Sequence, residues 1–394
     1  MKIQTRLLFA LLFALLLGGC AGMRPAAPPA PSDFFGDALF AAPGEAIGAD
    51  DLFTLSPAMR SYLHSRHFTL QLRDKGAERG LIDALYAKGE LKLDYEAAIT
   101  RNAAQTFEAR AGNCMSLVVM TAAFAKELGM RVYYQNVMAE QTWSRDHGLY
   151  FGSNHVNLSF EKPFDARGNF RRDGMLTVDF LPPQDLAGYR VVALDEKRIV
   201  AMYLNNRAAE ALAGGRLDDA YWWSRAALGQ DPSFVNAYNT LAVIYNRHGN
   251  LALGERVLRG VLEREPDNTV AMHNLVHALA AQGKGEESRA LAAHLATLDP
   301  HPPFRDFNLG MAAMRKGDYQ AAKALFAKEV AAAPYYHEFH FWLALAHLRL
   351  GEADAARAEL SLALQTSITG EARHQYSAKL EHLRSANPSV TRAY

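Results

Sequence analysis

Cysteine is nearly absent from this 394-residue chain, which has only Cys20 and Cys114. So few thiols exclude a disulfide framework as the source of stability. Excess charge of either sign is absent as well, because 42 Lys and Arg face 42 Asp and Glu. No whole-protein field draws the chain toward nucleic acid, and no nucleic-acid partner is expected. Long apolar runs are missing apart from Leu7 to Leu17, which is too short to span a bilayer stably. Calcium, nucleotide and haem motifs are lacking, so no cofactor is expected. His273 and His277 stand one helical turn apart, but no third ligand lies nearby and no metal is expected.

The amino terminus has Lys2 and Arg6, then the apolar run, then small residues, which is the layout of a secretory signal over residues 1–19. Leu17-Gly18-Gly19-Cys20 resembles the lipobox of bacterial lipoproteins. That resemblance implies acylation of Cys20 and attachment to a membrane, and Ala21 after it points to the outer membrane, facing the periplasm. Residues 20–48 are dense in Ala and Pro, as in Arg24-Pro25-Ala26-Ala27-Pro28-Pro29-Ala30-Pro31, and read as a semi-rigid tether. With Cys20 taken by lipid, no intramolecular disulfide remains for Cys114.

Residues 49–195 form a first domain. Ser56-Pro57 offers an N-cap with proline in the first turn, and Leu81, Leu85 and Tyr86 recur at helical spacing. Asn113 is a good N-cap for the apolar stretch that Cys114 opens. A helix N-terminus favours thiolate over thiol, and its first-turn N–H groups can serve an oxyanion. Two alternating runs follow, Asn154 to Phe160 and Met175 to Phe180, each reading as a strand. Paired as a hairpin about Arg167, they set Asp179 opposite His155. Taken singly, a buried cysteine, a strand histidine and an aspartate at a strand end are ordinary structural residues.

Taken together, Gly112-Asn113-Cys114 opening a helix, His155 on a strand and Asp179 on the next resemble the transglutaminase-like branch of papain-fold cysteine enzymes. The resemblance covers roughly residues 50 to 195 and implies an α+β fold. It implies Cys114 as nucleophile, His155 as general base and then acid, and Asp179 as the group orienting His155. Gln105 is the candidate for an additional oxyanion donor, while Asn154, Asn157 and Asp173 receive no role. Amide attack would pass through a thioester, resolved by water in a protease or amidase and by an amine in an acyl transferase. The competing class is a noncatalytic scaffold in which this domain only binds.

From residue 196 to 385 the chain repeats at the 34-residue spacing of tetratricopeptide units. Gly215, Gly249, Gly283, Gly317 and Gly351 fall in register, as do Pro232, Pro266, Pro300 and Pro334. Five units and a polar capping helix predict an all-α solenoid, with residues 386–394 as a tail. In the tetratricopeptide resemblance, first-helix positions face a concave groove for a protein or peptide. Asn205, Asn239, His273, His277, Phe307, Met311, Phe341 and Leu345 are expected to line it, polar at one end and apolar at the other. Trp222 and Trp223 are expected to divide between core and rim. No flexible run separates the domains over Leu186 to Val200, so they are expected to dock rigidly.

Overall fold

The computed structural model describes residues 29–86, 91, 93–96, 99–146, 149–160, 176–179, 190–299, 304–334, 336–367 and 370–385. The expected signal, the lipobox, Cys20 and Asp173 lie outside the described residues.

The first domain is mixed α and β. Helices α1 (Pro57–Leu63), α2 (Arg66–Lys75) and α3 (Ala77–Tyr86) precede α4 (Ala103–Ala109) and α5 (Cys114–Glu127). Ser56 caps α1 by accepting from the Met59 N–H, with Pro57 opening the helix. Strands β1 (Asp94–Tyr95) and β2 (Ala111–Gly112) form a short parallel pair. Strands β3 (Tyr133–Asp146), β4 (Leu149–Ser159), β5 (Thr177–Val178) and β6 (Arg190–Leu194) form an antiparallel sheet in the order β5-β4-β3-β6. Helix α5 is buried along nearly all its length, from Met115 to Ala125. It is therefore the spine of this domain, and its apolar sequence is a core helix's.

The all-α solenoid follows as five helix pairs: α6 (Glu196–Ala213) with α7 (Leu217–Gln230), α8 (Val235–His248) with α9 (Leu251–Arg264), and α10 (Thr269–Ala281) with α11 (Gly285–Leu298), continued by α12 (Arg305–Lys316) with α13 (Tyr319–Ala332) and α14 (His337–Arg349) with α15 (Ala353–Thr366). Helix α16 (Gly370–Ser385) closes the end. The five glycines expected at the intra-unit turns all have positive φ, from 73° at Gly215 to 89° at Gly249. That is the left-handed backbone glycine adopts without strain, and it explains the 34-residue register.

One hydrophobic core runs without a break from the first domain through the first three helix pairs, from Phe34 to Leu279. The two domains also meet through a polar seam. Glu210 on α6 accepts from the Thr100 N–H at 2.7 Å, and Glu196 receives Lys126 at 2.5 Å and the Tyr134 hydroxyl at 3.1 Å.

The segment expected to be a tether departs from that reading once it enters the described residues. From Pro29 to about Glu45 it lies on the solenoid, with Phe34 and Phe40 each only 7% exposed. The Ala and Pro content suggested little to bury, but two aromatic rings are enough to seat it.

Candidate functional site

Asn113 caps α5, accepting from the Ser116 N–H at 2.9 Å, and places Cys114 on the first turn as expected. Its amide also donates to Thr100 Oγ1 at 2.7 Å, while Ser116 Oγ accepts from the Arg101 N–H at 2.9 Å. Gly112 is needed here, because a Cβ at that position would come within 2.6 Å of Ser116 Cβ. Cys114 is half-buried.

His155 Nε2 lies 2.6 Å from Asp179 Oδ1, so the structure brings the expected histidine and aspartate together. The register differs from the expected one by two residues. Leu158 pairs with Val178 and Ser159 with Thr177, which sets Asn157 rather than His155 across from Asp179. Asn157 Nδ2 accordingly donates to Asp179 Oδ2 at 2.6 Å, and both carboxylate oxygens are satisfied. Asn157 is the residue that sequence reasoning left without a role. Its alternation with His155 on one strand face was the available signal.

Burial alone would pull the His155 imidazole down, but its hydrogen bond to Asp179 and the Cys114 sulfur beside it prevail and push its pKa up to about 9. At neutral pH that ring is protonated and holds no lone pair for a proton. Gln105, the candidate oxyanion donor, completes a capping box, its Oε1 accepting from the Asn102 N–H at 3.2 Å.

In the solenoid the polar end of the expected groove is half-buried at Asn205 and His273 and exposed at His277. Asn239 is 6% exposed, yet neither its Nδ2 nor its Oδ1 has a hydrogen-bond partner among the described residues, and Asn205 Oδ1 is likewise unsatisfied. Burial lowers the pKa of His273, partly offset by Asp299 at 3.9 Å. Strand β4 approaches α10 beside this stretch, so the first domain stands next to the polar end.

The apolar end is corrected in part. Phe307 is 0% exposed, packed among Phe304, Phe326 and Phe339, and Phe341 stacks on Tyr376 of the capping helix at 4.9 Å. These rings are core, because their edges find aromatic partners in the neighbouring helices and leave no face for a groove. Met311 and Leu345 remain half-buried. Trp223 is 3% exposed and Trp222 bonds to the docked segment, one core and one rim.

A family model described as tetratricopeptide repeat matches residues 307–371. A TPR repeat-containing protein of Pseudomonas aeruginosa is 30% identical over 155 residues, 35% of this chain and 26% of that protein. The chain thus spans about a quarter of the curated relative it matches. Among solved structures, a thermophilic TPR protein of Thermus thermophilus covers 46% of this chain and 98% of its own at 21% identity, with a TM-score of 0.33. YrrB, a TPR protein with an unusual peptide-binding site, covers 45% and 92% at 17% identity, with a TM-score of 0.25. MamA from Desulfovibrio magneticus covers 39% and 84% at 17% identity, with a TM-score of 0.27.

The family match shows a tetratricopeptide region. The family match and the curated relative point to tetratricopeptide repeats and give no support to the expectation of a transglutaminase-like hydrolase or acyl transferase, which is set aside. His155 and Asn157 both bond to Asp179, although Asn157 Oδ1 has no hydrogen-bond partner among the described residues. Among the described residues no group of three or more His, Cys, Asp or Glu is placed to hold a metal ion.

Proposed function

We propose that the protein is a noncatalytic tetratricopeptide scaffold, in which a first domain of papain-like topology binds and the solenoid's concave groove takes a protein or peptide segment. The observation that carries this is Asn239. A side-chain amide 6% exposed with all its hydrogen bonds unmade costs about 1–3 kcal/mol in an isolated molecule, a cost that a partner's backbone N–H and C=O would remove. The neighbouring Asn205 oxygen extends the same provision along the groove. Phe307 and Phe341 are outside this site, which consists of Asn205, Asn239, His273 and His277 with Met311 and Leu345 beyond them. As to place, the Leu17-Gly18-Gly19-Cys20 match supports lipid attachment at Cys20 on the periplasmic side of an outer membrane, read out by palmitate labelling that Cys20→Ser removes.

The test is photo-crosslinking in cells from a benzophenone residue placed at His277 in the groove or at Glu263 on the second helix of the second unit. Adducts are expected from His277 alone, lost on Asn239→Ala and retained on Cys114→Ala. Equal adducts from Glu263, or adducts that depend on Cys114, would sink the proposal.

A further inference from the structure

Residues 32–45 pack on α7, α8 and α9 of the first two units, and Glu45 reaches Arg207 on α6. What holds them is mostly recognition of backbone. Tyr245 Oη accepts from the Gly36 N–H and donates to the Phe34 carbonyl, both at 2.8 Å. Asp218 accepts from the Ala41 N–H at 2.8 Å, Trp222 Nε1 donates to the Ala41 carbonyl at 2.7 Å, and Asp219 accepts from the Gly44 N–H at 2.6 Å. With Arg256 Nη1 donating to the Asp33 carbonyl at 3.2 Å, side chains of the solenoid thus read six main-chain groups of a segment that itself forms two 3-10 turns, Ser32–Phe34 and Asp37–Leu39.

Three side chains of the segment set its register. Phe34 enters a notch above α9 that exists because residue 260 is glycine: a Cβ there would stand 2.4 Å from Phe34 Cζ. Phe40 stacks on Tyr221 with ring centroids 4.0 Å apart. Asp37 accepts from Tyr221 and from Arg225 Nε, the latter at 2.7 Å, and these bonds hold its carboxyl below the usual range although burial opposes them. Asp218, Asp219, Tyr221, Trp222, Arg225, Tyr245 and Gly260 serve neither the concave groove nor the Cys114 cluster.

We infer that the face of the first two units formed by α7, α8 and α9 is a binding site for a turn-containing peptide with two phenylalanines flanking an aspartate, and that the chain's own residues 32–45 occupy it in cis. A ligand of the same chemistry on another chain, a second copy included, would compete for it. Tethering gives the resident segment an effective concentration in the millimolar range, so it excludes such competitors until its own anchors weaken.

The experiment uses the full chain carrying Phe34→Ala and Phe40→Ala, which empties the two aromatic seats and leaves the groove residues in place. A fluorescent synthetic peptide of residues 30–46 is titrated against it and against the unaltered chain, with binding read by anisotropy. Saturable binding to the double variant is expected, at least tenfold tighter than to the unaltered chain. Adding Gly260→Ala is expected to weaken it at least tenfold, and adding Asn239→Ala to leave it unchanged. Peptide that fails to bind the double variant, or whose binding follows Asn239 rather than Gly260, overturns the inference. Should the double variant fold poorly, hydrogen exchange of the unaltered chain decides. Protection at Gly36, Ala41 and Gly44 is required, and exchange there at the rate of unstructured chain overturns the inference equally.

Discussion

The first three helix pairs and the last two are built from the same repeat but stabilised differently. The former share one core with the α+β domain and with the docked segment, so Phe34, Phe124 and Leu275 belong to a single cluster. The latter keep two small clusters of their own, one around Phe304, Phe307 and Phe326, the other around Phe341, Leu360 and Tyr376. Repeat proteins are approximately sums of units and nearest-neighbour interfaces. Here the amino-terminal block has been fused into something closer to a globular domain, whereas the carboxy-terminal pairs still lean only on neighbours. The difference teaches that a repeat sequence specifies the unit and leaves the cooperativity to whatever packs against it.

The most severe way to break this comparison is to open a cavity on each side. Phe124 is 0% exposed between Tyr62 and Phe107, and Phe326 is 0% exposed against Phe307 and Gly310. Each Phe→Ala change is expected to cost about 3–5 kcal/mol. Urea unfolding should show two transitions, with Phe124→Ala lowering only the larger and Phe326→Ala only the smaller. A single transition that both changes lower alike would mean the five pairs fold as one unit.

A second difference lies in pH dependence. The raised His155 contributes stability that is fully present below its unfolded pKa of about 6.5 and is lost as pH rises through the folded value of about 9. His273, lowered by burial in the same block, acts oppositely, its contribution present above about 6.5 and lost in acid. The amino-terminal transition should therefore weaken between pH 6.5 and 9. In the carboxy-terminal pairs His340 is raised by its bond to Glu359 and His337 is lowered by burial, so their trends oppose and that transition should be flatter. Asp179→Asn removes the carboxylate that holds the His155 proton and is expected to flatten the first curve, measured by urea midpoints at each pH. A curve unchanged by Asp179→Asn would show that another group sets the alkaline limb.

How much of this was legible beforehand follows the same division. The solenoid could be counted from Gly215 to Gly351, because each turn needs one left-handed residue and glycine marks it. The cap at Asn113, the strand of His155 and the nearness of Asp179 were also readable, being local patterns or alternation on a face. The register between β4 and β5 was not, since a two-residue slip keeps every side chain on its face while exchanging His155 for Asn157 opposite Asp179. The functional conclusion failed for a further reason. The residues of a cysteine enzyme were present in order, but order alone does not carry an activity, and the family match falls in the solenoid, at residues 307–371. The docked segment was missed because its Ala and Pro content hid two seated phenylalanines, and the depth at which Phe307 lies depends on aromatic neighbours in α13 and α14.

The finest comparison uses one substitution at equivalent places. Gly249 and Gly317 both close a first helix with positive φ, 89° and 79°, and a Cβ at either would meet nothing within 4 Å. Alanine therefore adds no clash at these positions, and the cost is conformational only, about 1 kcal/mol at each. Because the intrinsic cost is matched, any difference in outcome reports the surroundings. Gly249→Ala should lower the amino-terminal midpoint slightly, where the shared core spreads the strain over a large cooperative unit. Gly317→Ala should lower the carboxy-terminal midpoint by a larger fraction of its smaller total and speed hydrogen exchange in α12 and α13 without altering α8. Exchange that quickened equally in α8 and α12 for either change would show that the two blocks communicate across the third and fourth units, and the division drawn from their separate cores would have to be given up.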